Sequence, residues 1–255
     1  MKAIWIIAKN TFRETIRDRV MYNILFFAIF IIGISLIISS LSLNQQVKLV
    51  KDFGLAAMSI FGLLIAIFIG IRIVYQDTER RTIYMLVAKP IARWQIILGK
   101  YVGLLLTVLV NISVMSASLL LVDFLIESHI DWGLLLAVLL IFFEIMLVIA
   151  WALFFSVFTS PMLSAILTVL IFIIGHLSPA LKLFTQLHPE NSSNGLLLFL
   201  YRILPNLENF NIKAAVVEHL TLPAATVPNA IFYGLAYTTI LLIFSAEILE
   251  RRNLK

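Results

Sequence analysis

Cysteine is absent from the 255 residues. That removes disulfides, thiolate metal sites, iron–sulfur clusters and a cysteine nucleophile, and leaves His and carboxylates as the possible metal ligands. Histidine is scarce too: His129, His176, His188 and His219 stand far apart, and no H-E-x-x-H or similar pair exists, so nothing points to a metalloenzyme. Charge is equally sparse. Asp, Glu, Lys and Arg make up 13% of the chain, against about 25% in an ordinary globular domain. What fills the chain instead is apolar: 62% hydrophobic residues, Phe alone numbering 19, and a mean hydropathy of +1.04. That leaves too little polar side chain to coat a water-facing surface, so lipid is the expected solvent. The net charge of +5 does not imply nucleic acid, because Lys and Arg cluster beside the apolar segments, as membrane topology requires.

A bilayer core about 30 Å thick takes about 20 apolar residues per helix. Six runs of that kind, bounded by charge, Pro or Asn, read as spans: Met21 to Leu41, Leu55 to Tyr75, Tyr101 to Val122, Gly133 to Phe158, Met162 to Leu181 and Asn229 to Leu249. The expected fold is an all-α polytopic membrane protein, with residues 1–255 forming a single transmembrane domain and no loop large enough for a conventional soluble one. Residues 76–100 form a cytoplasmic loop and 182–228 the one long outer loop. With both termini in the cytoplasm, only Lys48, Lys51, Lys182, Arg202 and Lys213 of the 19 basic residues lie outside, which favours the N-in, C-in orientation. The loop between the third and fourth spans is acidic, with Asp123, Glu127 and Asp131.

The first span reads as an anchor, since its apolar run is too long for a cleavable signal and no A-x-A site follows. Before it, Ile4, Ala8, Thr11, Phe12, Thr15 and Ile16 recur at helical spacing, opposite Lys9, Arg13 and Arg17, as in an interfacial amphipathic helix. Such a helix serves either as a topology anchor on anionic lipid or as a contact for a partner. In the outer loop, Leu196 to Leu204 and Ile212 to Val217 are too short to span. Bounded by prolines, they read as short helices on the outer leaflet or capping the bundle.

The most charged stretch, residues 76–100, is expected to fold as helix, break, helix. Asp77 or Thr78 can cap a helix, Pro90 disfavours helical geometry at Lys89, and a second helix can start near Ile91 and run into the third span. The first arm mixes Glu79, Arg80 and Arg81 with Ile83, Tyr84, Leu86 and Val87, a composition suited to a protein groove. Here the sequence resembles the permease subunits of type-2 ATP-binding-cassette (ABC) exporters, whose intracellular loop reads Glu, two residues, Thr, then Lys-Pro-hydrophobic-small-Arg, then Gly-Lys. Glu79, Thr82, Lys89, Pro90, Arg93, Gly99 and Lys100 match. The layout of amphipathic helix, six spans and a longer outer loop before the last span extends the resemblance over essentially the whole chain. It implies that Glu79, Arg80, Thr82, Ile83, Tyr84, Leu86, Lys89, Pro90 and Arg93 belong to a coupling elbow that docks on a cytoplasmic ATPase subunit. It implies also that two permease copies, alike or different, assemble with two ATPases. ATP and magnesium would then belong to the partner, with no cofactor on this chain. The pair Gly99-Lys100 is followed by Tyr101 and preceded at the required spacing by Trp94, so it is not a phosphate-binding loop.

Within the membrane, Gly62, Ala66 and Gly70 recur every four residues, and Gly99 and Gly103 open the third span. Such positions let helices approach closely, either inside the chain or at a seam between two permeases. Glu144 lies deep in the fourth span, and counting inward from the outer ends places Asn111 at similar depth, so the two are expected to hydrogen-bond. The carboxyl would serve as a neutral clamp or as a titrating group. His176, near the outer end of the fifth span, reads as a packing or capping residue.

The expected function is an ABC permease working by alternating access in the inner or cytoplasmic membrane of a bacterium or archaeon. Two rivals stand beside it. A proton-coupled secondary transporter using Glu144 would need internal repeats, and no inverted duplication is visible. A membrane-embedded lipid-modifying enzyme would need a convergent acid, base or nucleophile set, and no such motif is present.

Overall fold

A computed structural model describes residues 2–40, 45–79, 92–129, 131–187, 195, 201 and 204–251. Its elements are α1 (Lys2–Ile16), α2 (Arg19–Ser40), α3 (Gln46–Glu79), α4 (Arg93–Glu127), α5 (Trp132–Phe158), α6 (Pro161–Leu187), a 3-10 turn (Leu207–Phe210), α7 (Lys213–Val217) and α8 (Thr226–Arg251). Among the described residues there is no strand, and six helices, α2 to α6 and α8, are long and apolar enough to cross a membrane.

The helices outrun the spans read from hydropathy. The second begins at Gln46 rather than near Leu55, and the third covers Arg93–Glu127 rather than Tyr101 to Val122. Charge ends a hydropathy window but not a backbone hydrogen-bond ladder, and here the added turn of α3 carries a lysine whose charge is answered by neighbouring helices. α6 continues through Pro179 to Leu187, which a span tolerates because neighbouring groups can satisfy the freed carbonyl.

α5 is the centre. Residues 144–153 are buried without interruption, the pattern of a helix that is apolar all round and covered on every side. α3 and α8 flank it. α2 is covered on one stripe only, through Met21, Ile24, Ala28, Ile32 and Ser35, while Phe26, Phe27 and Phe30 stand exposed. α3 and α4 run antiparallel in a register readable from two glycines: a Cβ at Gly54 would strike Leu119, and one at Gly70 would lie 3.7 Å from a Leu104 methyl. That register brings the last residue of α3 and the first turn of α4 to the same end of the bundle.

Two connections depart from expectation. The spacing of α1 is as the sequence suggests, with Ala8, Thr11 and Thr15 buried and Lys9, Arg13 and Arg17 exposed. The buried face lies on α4, however, so the helix is part of the bundle and not only a lipid-facing strap. In the long loop before the last span, Lys213–Val217 is helical within the patch Ile212 to Val217, whereas most of the patch Leu196 to Leu204 lies outside the described residues. The 3-10 turn that precedes it had no counterpart in the sequence pattern. Its Leu207 and Phe210 are fully buried, wedged between α6 and α8.

Candidate functional site

At the end of the bundle assigned to the cytoplasm, α4 opens with Arg93. Its Nη1 donates to the carbonyl of Leu249 at 2.7 Å and of Glu250 at 3.1 Å, in the last turn of α8. Two turns later, α1 lies directly on α4. A Cβ at Gly99 would sit 2.7 Å from Ile7 Cβ, and one at Gly103 would sit 2.6 Å from Thr11 Cβ and 2.7 Å from the Ala8 carbonyl. These glycines therefore make room for the chain's own N-terminal helix. Gly62 does the same for α5, where its Cβ would lie 3.0 Å from Ile145, and Ala66 is buried beside it. All of these small residues pack inside the chain. Of the remaining elbow residues, Glu79 is described only as the end of α3, and Arg80, Thr82, Ile83, Tyr84, Leu86, Lys89 and Pro90 lie outside the described residues.

In the middle, Glu144 is fully buried, but its partner is not Asn111. The Asn111 amide donates instead to the Thr107 carbonyl of its own helix at 2.8 Å. Glu144 accepts from the Ser59 hydroxyl of α3 at 3.3 Å to each oxygen, and faces His176 Nε2 of α6 at 3.3 Å. Equal depth fixes height in the bundle but not which way a side chain points, and α5 turns Glu144 toward α3 and α6 rather than α4. The other His176 nitrogen, Nδ1, lies 3.1 Å from the Phe172 carbonyl. A carbonyl only accepts, so in that hydrogen bond Nδ1 is the donor.

At the opposite end lies a cluster that sequence reasoning did not assemble. Lys51 is completely buried, and its ammonium meets Asp131 Oδ2 at 2.9 Å, Glu127 Oε2 at 3.0 Å and Asp123 Oδ1 at 3.5 Å. One cation thus joins the start of α3, the end of α4 and the cap of α5. Asp131 has a second task, since its Oδ1 accepts from the Gly133 N–H at 2.8 Å as the N-cap of α5. Burial alone would raise the Asp131 carboxyl, but the bonds from Lys51 and the Gly133 N–H together hold it below its ordinary value. The sequence signal was present: all four residues fall on the same expected side. Their meeting depends on helix register. Nearby, Lys48 pairs with Glu218 at 2.8 Å, which draws that exposed carboxyl below its usual range. Among the described residues no group of His and carboxylates has the arrangement of a metal site.

The arrangement is a bundle fastened at both ends with a polar contact at its core, and residues 5–254 match the pattern of the ABC-2 family transporter proteins. The chain belongs to the ABC-2 family. No curated protein matches it individually. As an ABC-2 protein it is a multi-pass transmembrane permease of an ABC transporter, the kind of component that works with an ATPase subunit. Neither rival reading, proton-coupled carrier or lipid-modifying enzyme, is favoured by that membership. Within the ABC-2 frame, the end of α3 and the start of α4 flank the loop expected to meet the ATPase, and Arg93 and Gly99 are residues of that motif whose contacts the structure describes.

Proposed function

We propose that this permease is driven by ATP hydrolysis in a separate cytoplasmic ATPase, with residues 76–100 as the coupling elbow, and that it exports its cargo by alternating access. ATP and magnesium bind the partner. The observation that carries this reading is the antiparallel register of α3 and α4, Gly54 on Leu119 and Gly70 on Leu104. It sets Glu79 and Arg93, the two ends of the motif, at one face of the bundle. Both termini sit on that cytoplasmic side, and the membrane is the inner or cytoplasmic membrane of a bacterium or archaeon. A second permease copy, identical or homologous, completes the pore. The exposed Phe26, Phe27 and Phe30 of α2 offer an apolar face to that copy or to lipid. Few polar residues line the spans, which suits a lipid-like or amphipathic cargo.

The elbow is tested by capture of the cognate ATPase on purified permease in detergent, together with permease-stimulated ATP hydrolysis. Tyr84→Ala with Leu86→Ala removes two apolar anchors, each worth on the order of 2 kcal/mol or more when buried in a partner groove. Glu79→Lys reverses a rim charge and brings like charges together if the partner offers a cation. Both variants are expected to lose capture and stimulation, the double mutant more. Wild-type behaviour in both would falsify the elbow assignment.

A further inference from the structure

The elbow delivers a partner's motion to one end of the bundle, while release of cargo must be governed at the other. α8 is fastened at both. Carbonyls in the last turn of a helix have no partner within it, and here Arg93 takes two of them, at Leu249 and Glu250. A guanidinium also complements the negative end of the helix dipole. About 24 Å away along the helix, at 1.5 Å per residue, Tyr233 and Gly234 hold the inserted outer turn. The Asn206 N–H donates to Tyr233 Oη at 2.9 Å, and a Cβ at Gly234 would lie 3.0 Å from the Phe210 ring. Against α6 the turn is just as tight, since a Cβ at Gly175 would lie 2.6 Å from Leu207 Cγ. The turn is also wired internally: Asn206 Oδ1 accepts from the Glu208 N–H at 3.2 Å, and Asn211 Nδ2 donates to Glu208 Oε1 at 2.8 Å. Close-packed contacts of this kind pass on a displacement because they leave no free volume to absorb it.

We infer that Arg93 is a positioning residue that makes α8 a rod, carrying movement of the elbow to the Leu207–Phe210 turn, with Tyr233 as the outer anchor. This rests on the coupling function proposed above. A shift in the first turn of α4 draws the C-terminus of α8 with it. The Tyr233 hydroxyl and the Phe210 ring then move the turn relative to Gly175 of α6. Two ends of one stiff element are thereby biased by a single event, which is what energetic coupling between distant sites requires.

The chain's lack of cysteine makes the test clean. Asn209, exposed in the turn, is replaced as Asn209→Cys, and its labelling rate with a membrane-impermeant maleimide is measured in the reconstituted complex with its ATPase, nucleotide-free and trapped with ATP and vanadate. The parent is expected to show a ratio of about five-fold or more between the two states, the scale of ordinary coupling energies. Arg93→Met and Tyr233→Phe should each bring that ratio close to unity, and Arg93→Lys should restore part of it. A purely structural role would lower stability in both nucleotide states and leave the ratio intact. Tyr233→Phe removes one oxygen far from the docking face, so its effect cannot arise from lost ATPase binding, and it serves also if Arg93→Met folds poorly. An undiminished ratio in both variants overturns the rod while leaving the elbow standing. A parent without nucleotide dependence overturns both.

Discussion

The two ends of this bundle are held by different physics. At the end assigned to the outside, a buried ammonium on α3 gathers two carboxylates of α4 and the N-cap carboxylate of α5. At the end assigned to the cytoplasm the described contacts are of another kind: α1 lies on α4 at backbone distance over Gly99 and Gly103, and the Arg93 guanidinium closes the last turn of α8. An ion cluster taken out of water is costly to open, because a separated partner becomes an uncompensated buried charge. Glycine-lined contact has no such threshold. It depends on shape rather than on charge kept out of water, so the inner end is the better suited to follow an ATPase, and the Lys51 cluster to serve as the fixed point against which the Leu207–Phe210 turn moves.

The largest expected effect breaks the fixed point. Lys51→Met fills the space but leaves Asp123, Glu127 and Asp131 facing one another, and removing one partner of a buried charge network costs about 3–5 kcal/mol. Thermal unfolding of the purified protein in detergent measures it, and a shift no larger than that of an exposed-lysine control such as Lys48→Met would show that the cluster holds little.

At the inner end the corresponding break is steric. Gly103→Leu places a side chain where even a Cβ would meet Thr11 and the Ala8 carbonyl. Overpacking of this kind costs about 1–3 kcal/mol. It should also detach α1, seen as faster labelling of a Thr11→Cys reporter, whereas an unchanged labelling rate would mean that the helix adjusts without leaving α4.

The smallest effect sharpens the comparison through pH. The Asp131 carboxyl is held below its ordinary value of 3.8, so its contribution to stability is fully present above that value and is lost as the pH falls through the depressed one. The stability gap between wild type and Asp131→Asn should therefore be constant near neutrality and close in acid. The steric deficit of Gly103→Leu should stay the same throughout. A Gly103→Leu gap that also closed in acid would erase the distinction between the two ends.

How much of this could be read beforehand differs by residue. The buried face of α1 followed from the 3.6-residue period of Ala8, Thr11 and Thr15, because a helix puts those positions on one side whatever covers it. The sites of close approach followed from residue size at Gly62, Gly99 and Gly103. What covered them did not follow, and Gly175 and Gly234, each isolated in its span, gave no pattern to notice. Glu144 was legible as a buried acid needing a partner, yet Asn111 was the wrong one, and Ser59 and His176 are the residues that face it. The elbow was proposed from its motif, of which Arg93 and Gly99 now have described contacts.

By itself the sequence determined the solvent, the number of spans and the periodic faces, because these rest on local quantities: hydropathy over about twenty residues and the fixed turn of a helix. Tertiary structure decided which faces meet. The rotation of each helix about its axis and its vertical register set Lys51 among three carboxylates, turned Glu144 toward His176, and joined both ends of α8 to distant segments. No local pattern encodes those two variables, since they minimise the energy of all the helices packed together.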